Sequence, residues 1–540
     1  MAQLEPQKHP NIFTPMTLIF NVITAALGAI IGMQLITTLG ISANTSIIGA
    51  LLAMIIARVP LKYFSKYRSL NEQNLVQTSI SSATFGAGNS LMIPIGIPFL
   101  MGTPDLILPM LIGSALAMYT DATILYKLFD SKIFPASGAW PPGVATAEAL
   151  FAGDKGGNRA GLLGIGTALG ILGSYLGVSM SAFGVAFIGN IWALTMFGVG
   201  LLLRGYSKPL FGMDLNALYV PHGFMIGAGI VALVQVILII LKKESSAKSN
   251  ISSENAATGE NVAPGFTRTE KDIRSAFGYG FLAYVTIALI IAVSGGIITK
   301  MSVGMFVIYL IFAAFAAFAH EIIVGISAMH SGWFPAFAVA LITLIVGMLI
   351  GFPPIALALM VGFSASTGPA FADMGYDLKT GYIIRGNGEN PQFEKEGRKQ
   401  QYITGMIAFS VAVVTVFLTY KGFFASNLVP PVDRVFVATI KAGTSSDVAM
   451  KLLLWAIPGA LLQFFGGSGR QMGILFATGL LLVNPTAGWA VIAGILIRAI
   501  VVKVKGKGAE STMSILAAGF IAGDALYSFT SSIFKLKVTK

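Results

Sequence analysis

The segment from Ser69 to Ser90, SLNEQNLVQTSISSATFGAGNS, places Asn71, Glu72, Gln73, Asn74, Gln77 and Thr78 at the start of an apolar run. Gln73 and Gln77 are four residues apart and would share a helix face. A side-chain amide carries two donors and an acceptor, so amides on one face can recognise peptide groups or carboxylates. That is recognition chemistry, not bond making. Glu72 lies near the preceding loop, where solvation explains it. The plain alternative for Gln77 is a hydrogen bond between packed helices.

A second segment, Trp140-Pro141-Pro142-Gly143-Val144-Ala145-Thr146-Ala147-Glu148, opens on prolines. Proline at a helix start leaves no orphan N–H there. The small residues that follow let a solute or a neighbouring helix come close. The positive N-terminal end of such a half-helix suits an anionic group, and Glu148 could couple a proton. A re-entrant packing element with an interfacial glutamate is the competing reading. The third segment, GFSASTGPAFADMGYDLKTGY from Gly362 to Tyr382, runs from small residues into Asp373, Asp377, Lys379 and Thr380. Asp373 and Asp377 share a face and repel there unless one is protonated or Lys379 is near. A solvated helix end would explain the same trio of charges. Asp121 in ALAMYTDATILYKLF and Asp524 in AAGFIAGDALYS sit inside apolar runs, where an ionisable group is expensive and its default reading is functional. Asp214 and His222 fall in a broken stretch and read either way.

These residues need elements of about 20 apolar residues to hold them at membrane depth. Such runs recur along the chain and predict an all-α polytopic membrane protein of about 14 to 16 transmembrane helices, some broken or re-entrant. One polar stretch, Lys242 to Arg274, is rich in Ser, Asn, Glu and Lys and reads as a flexible linker. It divides the chain into a transmembrane half at 1–241 and another at 275–540. Pro141-Pro142 with its short helix parallels Pro430-Pro431 with a helix ending at Ala442-Gly443, which suggests two pseudo-repeated halves. Basic residues from Arg58 to Arg68, in the linker and in the 377–400 loop place those loops in the cytoplasm by the positive-inside rule. The uncharged Gly40–Ser46 connection then lies outside, and the N-terminus inside. The short polar N-terminus lacks a signal-peptide cleavage pattern, so the first run is expected to be retained.

Composition agrees. Hydrophobic residues make up 55% and charged residues only 11%, which leaves more apolar surface than a soluble fold can hide, so the bilayer must be part of the solvent. The net charge of +12 is spread between apolar runs and forms no basic face with interleaved aromatics, which argues against nucleic acid. There are no cysteines, hence no thiolate metal site and no disulfide. His320-Glu321 opens HEIIV and not a zinc-protease HExxH, and no GxxxxGK[ST] is present to bind a nucleotide. With four scattered histidines, neither a metal site nor another cofactor is expected.

Three of these pieces resemble the oligopeptide transporter superfamily, in a prokaryotic branch related to the yellow-stripe-like transporters. NEQNLVQT at 71–78 looks like the family's early Q-T segment, PGVATA at 142–147 like its P-x-G-x-A-T-A motif, and DLKTG at 377–381 like its D-x-K-T-G motif. The resemblance implies proton-coupled uptake of short peptides or peptide-like solutes, with about 16 helices in two related halves. It also admits metal chelates as cargo. This chain lacks the long acidic N-terminal region of the eukaryotic peptide branch, so substrate identity does not transfer. The expectation is a multi-pass protein of the cell membrane, a secondary transporter and not an enzyme, whose partners are a small solute, protons and lipid. Homo-oligomerisation stays open. Gln73, Gln77, Thr78, Asp121, Pro142, Gly143, Thr146, Glu148, Asp373, Asp377, Lys379 and Thr380 are the candidate pathway residues. An uncoupled facilitator and a membrane-embedded enzyme are the rivals.

Overall fold

The computed structural model describes residues 9–39, 45–57, 66–155, 157–241, 265–332, 334–443, 446–482, 484–506 and 508–538. Residues 242–264 of the linker expected at 242–274, the first part of the Arg58–Arg68 loop and most of the Gly40–Ser46 connection lie outside them. The described residues form helices and turns, with no strand beyond one isolated bridge. The first ten helices are α1 Pro15–Leu39, α2 Thr45–Ala57, α3 Leu70–Phe85, α4 Ile93–Leu100, α5 Ile107–Leu128, α6 Pro141–Lys155, α7 Gly157–Tyr175, α8 Met180–Ile188, α9 Ile191–Phe211 and α10 Val220–Leu241. Then come α11 Glu270–Ser294, α12 Val303–Ser331, α13 Ala336–Ile350, α14 Pro354–Ser366, α15 Pro369–Ile384 and α16 Pro391–Ala425. The last five are α17 Pro431–Ala442, α18 Ser446–Arg470, α19 Met472–Leu481, α20 Pro485–Lys505 and α21 Ala509–Val538.

Among the described residues nine helices are long and apolar enough to cross a membrane, and four shorter apolar helices accompany them. Exposed Ile, Leu, Phe and Val on α1, α7, α11, α16 and α18 face outward, as lipid contact requires. Two of the nine spans are broken helices. In Leu70–Leu100 a π-helical turn at Gly86–Met92 joins α3 to α4. In Pro354–Ile384 the break falls at Thr367-Gly368, between α14 and α15. Breaks of this kind survive at membrane depth only where protein buries them, and both spans are the most buried of the nine, at 83% and 94%. Helix α11 begins at Glu270 on a capping box of Thr269 and Asp272, inside the stretch read from sequence as linker.

Contacts between elements come in reciprocal pairs. Helix α7 packs along α21, and α18 packs along α10. Helix α9 lies on α19 while α20 lies on α8, and α3 meets α16 while α14 meets α5. The proline-started helices α6 and α17 touch α15 and α4 respectively, each the second part of the other set's broken helix. In this pattern of contacts α1–α10 correspond in order to α12–α21, with α11 between them. Glycines set the closest crossings. A Cβ on Gly166 would stand 2.6 Å from the Leu516 carbonyl oxygen, and one on Gly223 would stand 2.6 Å from that of Leu452. Backbones can approach this closely only where side chains are absent.

Candidate functional site

The three segments singled out by sequence converge on α15. Its start is built by the break before it. Gly368 has φ +91°, a left-handed conformation that suits glycine, and Pro369 opens the helix with its φ already set. The backbone groups freed there are satisfied by side chains. The Thr367 hydroxyl donates to Ser364 O (2.8 Å), and Gly368 N–H donates to Asp121 Oδ2 (2.5 Å).

Every side chain from Asp373 to Thr380 on α15 is buried. Gln77 Nε2, on α3, donates to Asp377 Oδ1 (2.6 Å), and the Ser82 hydroxyl donates to Oδ2 (3.3 Å). One helical step away, the Ser81 hydroxyl donates to Asp373 Oδ1 (2.5 Å) and lies 2.9 Å from the Ser46 hydroxyl of α2. Gln401 of α16 closes the other side, with Nε2 donating to Asp377 O (2.7 Å) and to the Thr78 hydroxyl (3.2 Å). From α6, Gly143 O accepts from the Thr380 hydroxyl (3.1 Å). Gly143 has no room for a side chain, because a Cβ there would lie 2.5 Å from Tyr376 O and 2.8 Å from Lys379 Cβ. Polar atoms of this buried seam without a hydrogen-bond partner include Asp373 Oδ2, Asn74 Oδ1 and the indole Nε1 of Trp140, whose ring lies 6.0 Å from that of Tyr376.

The structure therefore brings Gln77, Thr78, Gly143, Asp373, Asp377 and Thr380 together. It places the other candidates elsewhere. Gln73 donates back to Arg68 O (3.3 Å) and does not join Gln77. Lys379 directs its ammonium to Ala136 O (2.8 Å) and over the Tyr382 ring, and not to either aspartate. Pro142 packs against Gly332, and Thr146 bonds to Pro142 O within its own helix (2.8 Å). Glu148 forms a two-pronged ion pair with Arg159 at the start of α7, at 2.6 Å. Asp121 joins Tyr284 and Glu321 in a separate buried contact. Asp524 accepts from Ser174 and from Ser181 N–H, which ties α7 and α8 to α21. Asp214 is half-buried and held by two backbone N–H groups and Arg204, which set its carboxyl below the usual range, the N–H groups contributing most.

Sequence reasoning missed several groups. Ser81, Ser82 and Gln401 complete the seam; a serine in a small-residue run carries no signal of its own. Gln401 also accepts from Arg385 (2.9 Å), which pairs with Glu394 (2.6 Å), which in turn pairs with Arg398 (3.3 Å). Glu321 reads in the sequence only as the second residue of an incomplete zinc motif, although a carboxylate in FAAFAAFAHEIIVG is as conspicuous as Asp121. No group of three or more potential metal ligands occurs among the described residues. A surface groove of about 530 Å³ runs between α5 and α11, lined by Tyr119, Thr123, Lys127 and Tyr279, and none of the buried carboxylates lines it.

Such an arrangement offers acceptors, donors and closely packed backbone to a small polar solute. None of the curated proteins matches the chain. The description OPT oligopeptide transporter protein matches it at residues 12–234 and 175–535. Those matches reach from the start of α1 almost to the end of α21 and take in all three segments around α15, so this multi-pass membrane protein belongs to the OPT oligopeptide transporter family.

Proposed function

We propose that the protein is a proton-coupled importer of short peptides or peptide-like solutes, and that the seam around α15 is where the solute passes. The observation that carries this reading is the convergence of α3, α6 and α16 on the stretch of α15 that bears Asp373 and Asp377, between the two corresponding sets of helices. Binding sites of inverted- or parallel-repeat transporters lie at such junctions, at broken helices. The unpartnered Asp373 Oδ2 can accept from a peptide N–H or an amino terminus, and the unpartnered Trp140 N–H can donate to a peptide carbonyl. Gln77 and Gln401 can exchange their present partners for peptide groups of the same kind. With these side chains buried, the arrangement corresponds to a closed state, and access from either side requires α15 to move.

The test is uptake of a mixed di- to hexapeptide pool by proteoliposomes, with and without an inward proton gradient. Gradient-dependent accumulation is expected, and the peptides retained define the substrate class. Entry that only equilibrates would make the protein a facilitator. Failure of every peptide to enter would overturn the peptide reading.

A further inference from the structure

Asp121 on α5, Tyr284 on α11 and Glu321 on α12 meet in a contact closed to solvent, each at 0% exposure. Tyr284 Oη lies 2.6 Å from Asp121 Oδ1 and 2.9 Å from Glu321 Oε2. A phenol has one hydrogen. It can donate to one carboxylate, and the other contact is a hydrogen bond only if that carboxyl brings a hydrogen of its own. The contact therefore holds one proton beyond the phenol's.

The surroundings assign that proton. Asp121 Oδ2 takes a further hydrogen from Gly368 N–H, outside the trio. Glu321 Oε1, equally buried, has no partner. Donors gather on an anion, and charge-assisted bonds are the shorter ones. An unpartnered oxygen is far less costly on a neutral carboxyl than on a buried anion. So Glu321 Oε2–H donates to Tyr284, and Tyr284 donates to Asp121. Among the described residues no Lys or Arg forms an ion pair with either carboxylate. The other titratable groups on neighbouring elements turn elsewhere. His320 of α12 faces Ser364 O and Ala336 O, Tyr402 of α16 bonds Thr123, and Asp373 of α15 bonds Ser81.

We infer that Asp121, Tyr284 and Glu321 form the site that carries the co-transported proton, and that Gly368 links its occupancy to α15. The inference rests on the proposed proton-coupled transport. Loading converts two carboxylates into one carboxylate and one carboxylic acid, and release returns the proton to water. With both groups ionised, the single phenol hydrogen holds only one of them, and two anions face each other across it. Asp121 also holds the N–H at the start of α15, so losing the proton disturbs the anchor of the helix that bears Asp373 and Asp377. Gly368 and Asp373 are about 7.5 Å apart along that helix.

Two measurements test this. Infrared difference spectra of the purified protein, taken as pH is stepped, should show the C=O band of a protonated carboxyl. Glu321→Gln should remove that band, and Tyr284→Phe, which keeps the ring, should shift it. A spectrum unchanged by Glu321→Gln overturns the shared proton. In proteoliposomes, gradient-driven accumulation of the peptide pool should fall by roughly tenfold or more in both variants, the scale of an ordinary coupling free energy. Counterflow of the same pool at equal pH should persist, because exchange needs no net proton movement. Accumulation with unaltered pH dependence, or loss of counterflow together with accumulation in both variants, overturns the assignment. If the unaltered protein shows the band yet accumulates no peptide under any gradient, peptide symport and the transport role of the site fail together. A missing band in a protein that does accumulate peptide overturns the site alone.

Discussion

The Asp377 carboxylate is the acceptor on which two donors from α3 depend. Removing its carboxylate with Asp377→Ala leaves Gln77 Nε2 and the Ser82 hydroxyl buried without acceptors, a loss of about 1–3 kcal/mol. Asp377→Asn keeps an oxygen that Gln77 can reach, so it should unfold closer to the unaltered protein while losing transport. Thermal unfolding in detergent beside peptide uptake separates the two effects; equal destabilisation by Ala and Asn would mean that shape and not the acceptor matters. Glu148 offers a contrast. Its partner Arg159 is 34% exposed, so Glu148→Gln should cost at most about 1 kcal/mol. If the proton travels through Asp121 and Glu321, that variant accumulates peptide with normal pH dependence, and loss of the gradient response would return Glu148 to the coupling role. Asp373 and Asp377 were legible in the sequence because carboxylates are rare in apolar runs. Their partners Ser81 and Ser82 were not, since a hydroxyl in a helix most often bonds its own preceding turn.

At the scale of elements, the break before α15 carries the strain. A left-handed φ disfavours any residue with a Cβ, and a Cβ on Gly368 would also press on Val324 at 3.0 Å. Gly368→Ala should therefore cost about 1–3 kcal/mol and impair transport. Gly102 has φ +73° and nothing within 4 Å of its missing Cβ. Gly102→Ala carries the backbone strain without the crowding, so its thermal shift should be smaller and its uptake normal. Equal loss of uptake in both would remove Gly368 from the transport cycle. The N-terminal segment is a second such element. His9 packs on Phe393 of α16, and Ile12 N–H donates to Gln400 Oε1 (3.0 Å). Burial, with help from the Arg385 guanidinium, pushes the His9 imidazole down to about 4. A base whose folded pKa lies below its unfolded value stabilises the docked form above the unfolded pKa and loses that stability as pH falls through the folded one. Proteolytic cleavage of the N-terminal segment should therefore accelerate as pH drops from about 6.5 toward about 4, and His9→Phe should flatten the profile. The helices were predictable from their apolar runs. The break at Thr367-Gly368 was not, because a run of small residues ending in Thr-Gly-Pro also reads as a helix-to-helix loop.

For the whole molecule, the reciprocal packing has a mechanical consequence. The α7–α21 and α10–α18 crossings take matching places in the pattern of contacts, and each joins a helix of α1–α10 to one of α12–α21. Sequence suggested the repeat only through the paired prolines at Pro141-Pro142 and Pro430-Pro431. Identity between those two segments is poor, and the correspondence shows in which helix meets which. Close backbone approach at both crossings depends on glycine, so a single methyl should register at either. Gly166→Ala meets the Leu516 carbonyl at 2.6 Å, and Gly223→Ala meets Leu452 O at 2.6 Å and Trp455 Cβ at 2.7 Å. Both should lower stability by about 1–3 kcal/mol. Gly164, two residues from Gly166 on the same helix, has nothing within 4 Å and faces outward. Gly164→Ala should change stability by less than about 1 kcal/mol, in the stabilising direction, since alanine favours the helix. Thermal unfolding of the three variants in one detergent decides the matter. Similar losses at Gly166 and Gly223 with none at Gly164 would show that the two crossings bear comparable load; a loss confined to one would mean that the units are held together on one side, leaving the other free to open.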